Sequence, residues 1–257
     1  MTLLRVENVH QRFGALGVLT GVSVAVPAGQ ALGVVGPNGA GKTTLLDIVA
    51  GGRRPDLGTI TLDGQDVTTA SPGRRARLGL GRTYQVPRPF ADMTVFENVL
   101  VAAQQGGGLR RKVSFAAAAQ ALELAGMSEN ANWPAERLGL LQRKRLEVAR
   151  ALATQPRLLL LDEVAGGLTD PEVAELVEIV RGVNADGIAV IWIEHVVRAL
   201  TAVVTRLICL AGGSFVGDGD PASVLANPAV REVFLGTDVT AALAGGSLSD
   251  GDPGGAS

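Results

Sequence analysis

One cysteine, two histidines and an aromatic content of only 4% mark this 257-residue chain. With a single thiol, no internal disulfide can form. Cys209 lies in the apolar run Arg206-Leu207-Ile208-Cys209-Leu210 and reads as a small buried hydrophobe suited to a reducing compartment. A basic excess is also missing: 23 Lys and Arg stand against 25 Asp and Glu, a net charge of -2. That balance argues against nucleic acid as the partner, because a phosphate backbone demands neutralising cations. Arg5 and Glu7 interrupt the first apolar stretch, so no secretory leader is expected. Phe13 to Gly41 carries no charge, but Pro27, Gly29, Gln30, Pro37 and Asn38 break it well short of a spanning helix of about 20 apolar residues. Any membrane role must come through a partner.

What is present is a chain with 47% hydrophobic residues, enough to fold over most of its length. The opening third reads as β-rich. Leu3 to Val9 and Gly21 to Val26 alternate or run apolar, and Thr59 to Leu62 ends at the hairpin signal Asp63-Gly64. Ala31 to Val35 is a buried strand that leads through a Gly-rich loop into a helix from about Thr43 to Gly51-Gly52. Residues 90 to 153 turn Ala-rich and helical, with Thr94 and Glu97 spaced as a capping box, and read as a helical subdomain inserted between β-α units. Beyond it Arg157 to Leu161, Ile188 to Ile193 and Leu207 to Leu210 read as buried strands alternating with helices. The first of those helices starts at Asp170-Pro171-Glu172, with Asp170 as its cap. The expected fold is therefore α/β with a mostly parallel sheet. One domain is expected over residues 1–236, with a flexible Gly-, Ala-, Ser- and Asp-rich tail over 237–257. The clusters Arg74-Arg75-Ala76-Arg77 and Arg110-Arg111-Lys112 read as solvated helix faces.

The strongest chemical signal is Gly36-Pro37-Asn38-Gly39-Ala40-Gly41-Lys42-Thr43-Thr44, which fits the P-loop pattern G-x-x-x-x-G-K-[ST] between a strand and a helix. Backbone amides of such a loop curl around phosphate oxygens and the helix start adds partial positive charge. Lys42 would reach the β and γ phosphates of a nucleotide, and the Thr43 hydroxyl would serve Mg²⁺. Next, Leu158 to Leu161 delivers Asp162 and Glu163 to the C-terminal end of a strand, where parallel sheets place ligands. Asp162 would hold the Mg²⁺ while Glu163 polarises the attacking water. His195 follows a third strand and so reaches the same sheet edge, where it would position that water. Gln85 would contribute an amide oxygen to the metal shell or the water, and His10, with no such context, reads as structural. A guanine-reading Asn-Lys-x-Asp element is lacking, which disfavours a GTPase. A small-molecule kinase would leave Gln85 and His195 unexplained.

Taken in order, these elements resemble the ATP-binding subunits of ABC transporters over about residues 3 to 236. Arg82-Thr83-Tyr84-Gln85-Val86-Pro87-Arg88-Pro89-Phe90, Met93 to Val99, Ile193-Glu194-His195 and Asn227-Pro228 look like the ATPases of branched-chain, hydrophobic amino acid importers. The resemblance implies a P-loop NTPase core with an antiparallel β subdomain and an inserted helical subdomain. ATP and Mg²⁺ are the implied cofactors, Phe13 stacks on adenine, and Gln85 with the segment after it touches a membrane permease. Implied partners are a second ATPase subunit, identical or different, permease subunits and, indirectly, a substrate-binding protein. The implied location is the cytoplasmic face of the membrane, peripheral through the permease. Two other readings fit the same residues: an ABC-type ATPase outside any transporter, and a regulatory nucleotide-binding subunit with little turnover.

The chain departs from the family where Leu-Ser-Gly-Gly-Gln is usual, carrying Leu138-Gly139-Leu140-Leu141-Gln142 instead. In the family this segment closes over nucleotide held by the opposite subunit, and glycine there lets the backbone approach the γ-phosphate. Leu140 and Leu141 would weaken that approach. That departure motivates the expectation of a heterodimer in which the site built on Lys42, Glu163 and His195 of this chain hydrolyses ATP with the partner's signature, while the reciprocal site is weaker.

Overall fold

The structure, a computed structural model, describes residues 1–235, so the tail expected over 237–257 lies outside the described residues. Two long strands, β1 (Thr2–Phe13) and β2 (Leu16–Pro27), pair antiparallel, and β-branched Val22, Val24 and Val26 alternate into the core along β2. The short buried strand β3 (Ala31–Val35) runs into the Gly-rich loop and helix α1 (Lys42–Ala50). Strands β4 (Leu57–Leu62) and β5 (Gln65–Asp66) flank Asp63-Gly64, whose φ angles of 49° and 77° fit the two-residue turn that matches strand twist. Then come α2 (Pro72–Arg77) and a three-residue strand β6 (Leu80–Arg82).

The helices α3 (Val95–Val101), α4 (Arg111–Leu124) and α5 (Leu140–Leu152) fill the interval before the next strand, with a π-helical turn at Ala102–Gly106. Thr94 and Glu97 form the expected capping box at the start of α3. The remainder alternates: β7 (Leu158–Asp162), α6 (Asp170–Ala185), β8 (Ala189–Ile193), α7 (Val197–Thr201) and β9 (Arg206–Ala211). The edge strand β10 (Ser214–Gly219) and helices α8 (Pro221–Ala226) and α9 (Pro228–Leu235) close the described chain. Helix α6 is capped one residue earlier than its sequence suggests. Glu172 Oε2 accepts from the Thr169 amide at 2.8 Å and its hydroxyl at 2.7 Å, while Asp170 is free to pair with Arg198.

Two sheets result. The antiparallel one has the order β2-β1-β4-β5 and the central one β10-β9-β3-β8-β7-β6, parallel from β9 to β6 with β10 antiparallel at its edge. The unbroken Leu run of β7 follows from burial on both faces. Leu158 and Leu160 pack toward β1, β2 and α1, whereas Leu159 and Leu161 pack toward α5 and α6.

The Arg74–Arg77 cluster departs from its expected exposure. Arg74 and Arg77 are exposed but Arg75 is fully buried. Its guanidinium donates to the Ile48 and Val49 carbonyls at 2.7 Å each and to the Thr68 and Ala70 carbonyls at 3.2 Å. Burial pulls its pKa down to about 10, which leaves it charged at neutral pH. Arg75 thus satisfies the last carbonyls of α1 and ties that helix to α2; hydrogen bonds to a charged group contribute about 1.5–3 kcal/mol each.

Candidate functional site

Parallel β3, β8, β7 and β6 release their chains at one sheet edge, and that topology assembles the site. After β3, Gly36 has φ 148° and a Cβ there would sit 2.0 Å from the Leu210 carbonyl oxygen of β9. Only glycine fits that seat. Helix α1 begins at Lys42 without a side-chain cap and without an acidic residue in its first turn. Its leading amides are therefore open to an anion. Lys42 is buried, and its ammonium donates to the Gly36 carbonyl at 2.7 Å and the Pro37 carbonyl at 3.0 Å. Burial lowers its pKa, opposed by the charges of Glu163 and Asp162. Thr43 is exposed and Thr44 half-buried at the helix start, with Asn38 and Gly39 exposed at the loop crest.

Next in the sheet, β7 ends at Asp162, paired in register with Ile193 of β8. Asp162 is buried, which raises its pKa, while Arg82 pulls it down. Arg82 ends β6, contacts Asp162 Oδ2 at 3.4 Å and pairs with Asp47 of α1 at 2.5 Å. The other oxygen, Oδ1, is buried with no hydrogen-bond partner. An orphaned carboxylate oxygen costs about 1–3 kcal/mol unless a donor or cation meets it. That oxygen and the Thr43 hydroxyl are the hard oxygen donors Mg²⁺ takes alongside phosphate. The residues present therefore fit the ion.

Glu163 follows with φ 49°, a left-handed conformation that costs a non-glycine residue about 1–2 kcal/mol. Its carboxylate lies between two partners: Gln85 Nε2 donates to Oε2 at 2.6 Å, and His195 Nε2 is 2.9 Å from Oε1. Gln85, Glu163 and His195 are thus brought together beside Lys42 and Asp162. Glu194, the residue before His195, is buried; its carboxylate accepts from the Ala165 amide at 2.6 Å and the His195 amide at 3.2 Å. Desolvation raises its pKa. It pins the turn after β7 to the end of β8.

Phe13 stands apart from that group. At the end of β1 its ring is 44% exposed, with the Arg53 guanidinium 4.5 Å from its centroid. It pairs with Leu16 at the start of β2, and it is Val18 and Leu19 further along β2 that abut Gly41.

Several residues here escape a sequence reading. Arg82 sits on a strand too short to show periodicity. Helix α5 clasps the segment after Gln85: Glu147 accepts from the Arg88 amide at 3.0 Å and Arg150 donates to the Arg88 carbonyl at 2.9 Å. The Arg150 guanidinium also lies 5.3 Å from the Phe90 ring centroid. Lys144, on the same helix, donates to the Gln85 carbonyl at 3.0 Å and the Glu163 carbonyl at 3.2 Å. A signal for it exists in the sequence, since Lys144 falls on the stripe of Leu141, Val148 and Ala151 that α5 buries. Gly139 caps α5, Leu138 and Leu141 are buried, and Leu140 is 46% exposed beside Gly167.

Residues 19–166 match the ABC transporter family. Over 249 residues the chain is 34% identical to the high-affinity branched-chain amino acid transport ATP-binding protein BraF of Pseudomonas aeruginosa. It is 35% identical to the corresponding protein LivG of Escherichia coli; each match covers 91% of this chain and 98% of the relative. Among solved structures, a nucleotide-free ATP-binding cassette from an ABC transporter superposes with a TM-score of 0.83 at 28% identity. That match covers 91% of this chain and 99% of the other. The ADP conformation of an ATP-binding cassette gives 0.82 at 28% identity, over 92% and 99%. A P-loop at a parallel sheet edge, a carboxylate held between Gln85 and His195, and these relatives converge: the chain belongs to the ABC transporter family, as one of its ATPase cassettes.

Proposed function

We propose that this cassette hydrolyses MgATP to drive an importer of branched-chain or other hydrophobic amino acids, docked on permease subunits at the cytoplasmic face of the membrane. The observation that carries the hydrolytic part is Glu163, fixed between Gln85 and His195 next to the buried Lys42 and Asp162. The amides from Gly36 to Thr44 wrap the phosphates. Lys42 exchanges its two loop carbonyls for β and γ phosphate oxygens, an exchange of neutral acceptors for charged ones that favours the nucleotide. Thr43 and Asp162, with Gln85 nearby, would hold Mg²⁺, which neutralises phosphate charge when bound. Glu163 takes the proton of the attacking water, and His195 orients that water and the carboxylate. Lys42 stabilises the charge developing on the γ-phosphate, the larger effect in phosphoryl transfer. Phe13, half exposed at the end of β1, offers a face for adenine.

The cargo reading rests on the named relatives in Pseudomonas aeruginosa and Escherichia coli. Among the described residues no helix is long and apolar enough to cross a membrane, so docking on a permease supplies the membrane attachment. Exposed Tyr84, Val86 and Phe90 beside Gln85 form the apolar face for it. The second ATPase subunit of the assembly is a different chain with a complete Leu-Ser-Gly-Gly-Gln segment, because Leu140 of this chain stands where a glycine would admit phosphate. Deleting the gene in its host is expected to abolish saturable uptake of radiolabelled leucine, isoleucine or valine, and wild-type chain but not Lys42→Ala restores it. Unchanged uptake of all three would overturn the cargo reading.

A further inference from the structure

Lys144 is only 4% exposed, on the core side of α5, where a lysine is costly unless its protons are used. Its ammonium spends them on two carbonyls from separate segments, that of Gln85 at 3.0 Å and that of Glu163 at 3.2 Å. The same two residues also meet through their side chains, at 2.6 Å. A closed loop of contacts therefore joins α5, the segment after β6 and the end of β7. At Glu163 the backbone holds its left-handed turn by few bonds: its amide donates to the Ile193 carbonyl at 2.9 Å, and its carbonyl accepts from Gly166 at a long 3.4 Å. Lys144 is the nearer donor. Burial lowers the Lys144 pKa, while the neighbouring carboxylates of Glu194, Glu163 and Glu147 oppose that and favour the ammonium form.

From this geometry we infer that Lys144 is a positioning residue: it holds the backbone of Glu163 so that the carboxylate faces the reacting water, and it makes that placement depend on where α5 sits. The inference rests on the reading of Glu163 as the group that receives the water's proton. A displacement of α5 away from the sheet withdraws one ammonium from Gln85 and Glu163 together, and the Glu147 and Arg150 contacts carry the 88–90 segment with it.

The test uses the full-length chain in its co-expressed transporter complex, comparing Lys144→Met, Lys144→Gln and Lys144→Arg with Glu163→Gln. Lys144→Met is expected to lower kcat roughly 10- to 100-fold, the effect of misplacing a reacting group by about an ångström, with KM for ATP and ATP affinity held within about twofold. Arg, which keeps several donors, is expected to recover kcat to within about fivefold of wild type, with Gln between Arg and Met. Wild-type kcat in the Met and Gln variants, while Glu163→Gln is inactive, overturns the inference and leaves the role of Glu163 standing. A parallel fall of kcat and ATP affinity also overturns it, because a merely structural residue would move both. Activity retained in Glu163→Gln removes the reading beneath it. If the Met variant fails to fold, as judged by thermal melting, the Gln and Arg variants carry the comparison, and equal kcat values in both overturn the proposal.

Discussion

Glu163→Gln is expected to cut ATP hydrolysis by the assembled complex roughly 10²- to 10³-fold, within the range that positioned proton transfer contributes. The amide cannot take a proton from water, yet it is nearly isosteric and retains an oxygen that can accept from Gln85 or His195. Lys42, Thr43 and the loop amides are untouched, so ATP affinity should stay within about threefold of wild type. Phosphate release by the complex and a nucleotide titration measure the two quantities separately. A complex that kept half its rate would show that the reciprocal site works equally well, against the unequal pair argued from Leu138-Gly139-Leu140-Leu141-Gln142. An unchanged rate would remove Glu163 from the chemistry.

Gly36→Ala has the second large effect. The loop leaves β3 at φ 148°, and a methyl group at residue 36 would stand 2.0 Å from the Leu210 carbonyl oxygen, a backbone atom of the neighbouring β9. Neither strand can yield without breaking the register between Val35 and Cys209. The substitution should therefore cost roughly 2–4 kcal/mol of stability and lower ATP affinity at least about tenfold, because the amides no longer curl around phosphate. Gly39→Ala is the contrast: φ is 79°, but a Cβ meets nothing within 4 Å. Only backbone strain of about 1–2 kcal/mol applies there. Thermal melting and calorimetry on both variants separate steric exclusion from strain; equal behaviour would contradict the close seating of Gly36 against β9.

Much of the site is legible in the chain because its chemistry is local. The P-loop announces itself within nine residues, and Asp162-Glu163 and Glu194-His195 each end an apolar run with the length of a buried strand. Once the sheet is parallel, those strand ends must share an edge, which places Lys42, Asp162, Glu163 and His195 together. The less legible features depend on tertiary partners. A run of arginines reads as a solvated face, and nothing nearby in sequence says that the C-terminal carbonyls of α1 await Arg75. Arg82 lies on a strand of three residues, too short for a period, and its partners Asp47 and Asp162 are distant in sequence. The start of α6 shifts by one residue because Thr169 and Asp170 are both residue types that cap helices, and it is Thr169 that meets Glu172 while Asp170 pairs with Arg198.

The claim under all of this is that the bend from Gly36 to Thr44, with Lys42 at its base, grips the phosphates of ATP. Isothermal titration of the purified chain with ATP in the presence of magnesium tests it most directly. Saturable binding with one site per chain, weakened at least about tenfold in Lys42→Ala, is the predicted result. A wild-type chain that gave no binding heat, or a Lys42→Ala variant that bound ATP as tightly as wild type, would contradict it.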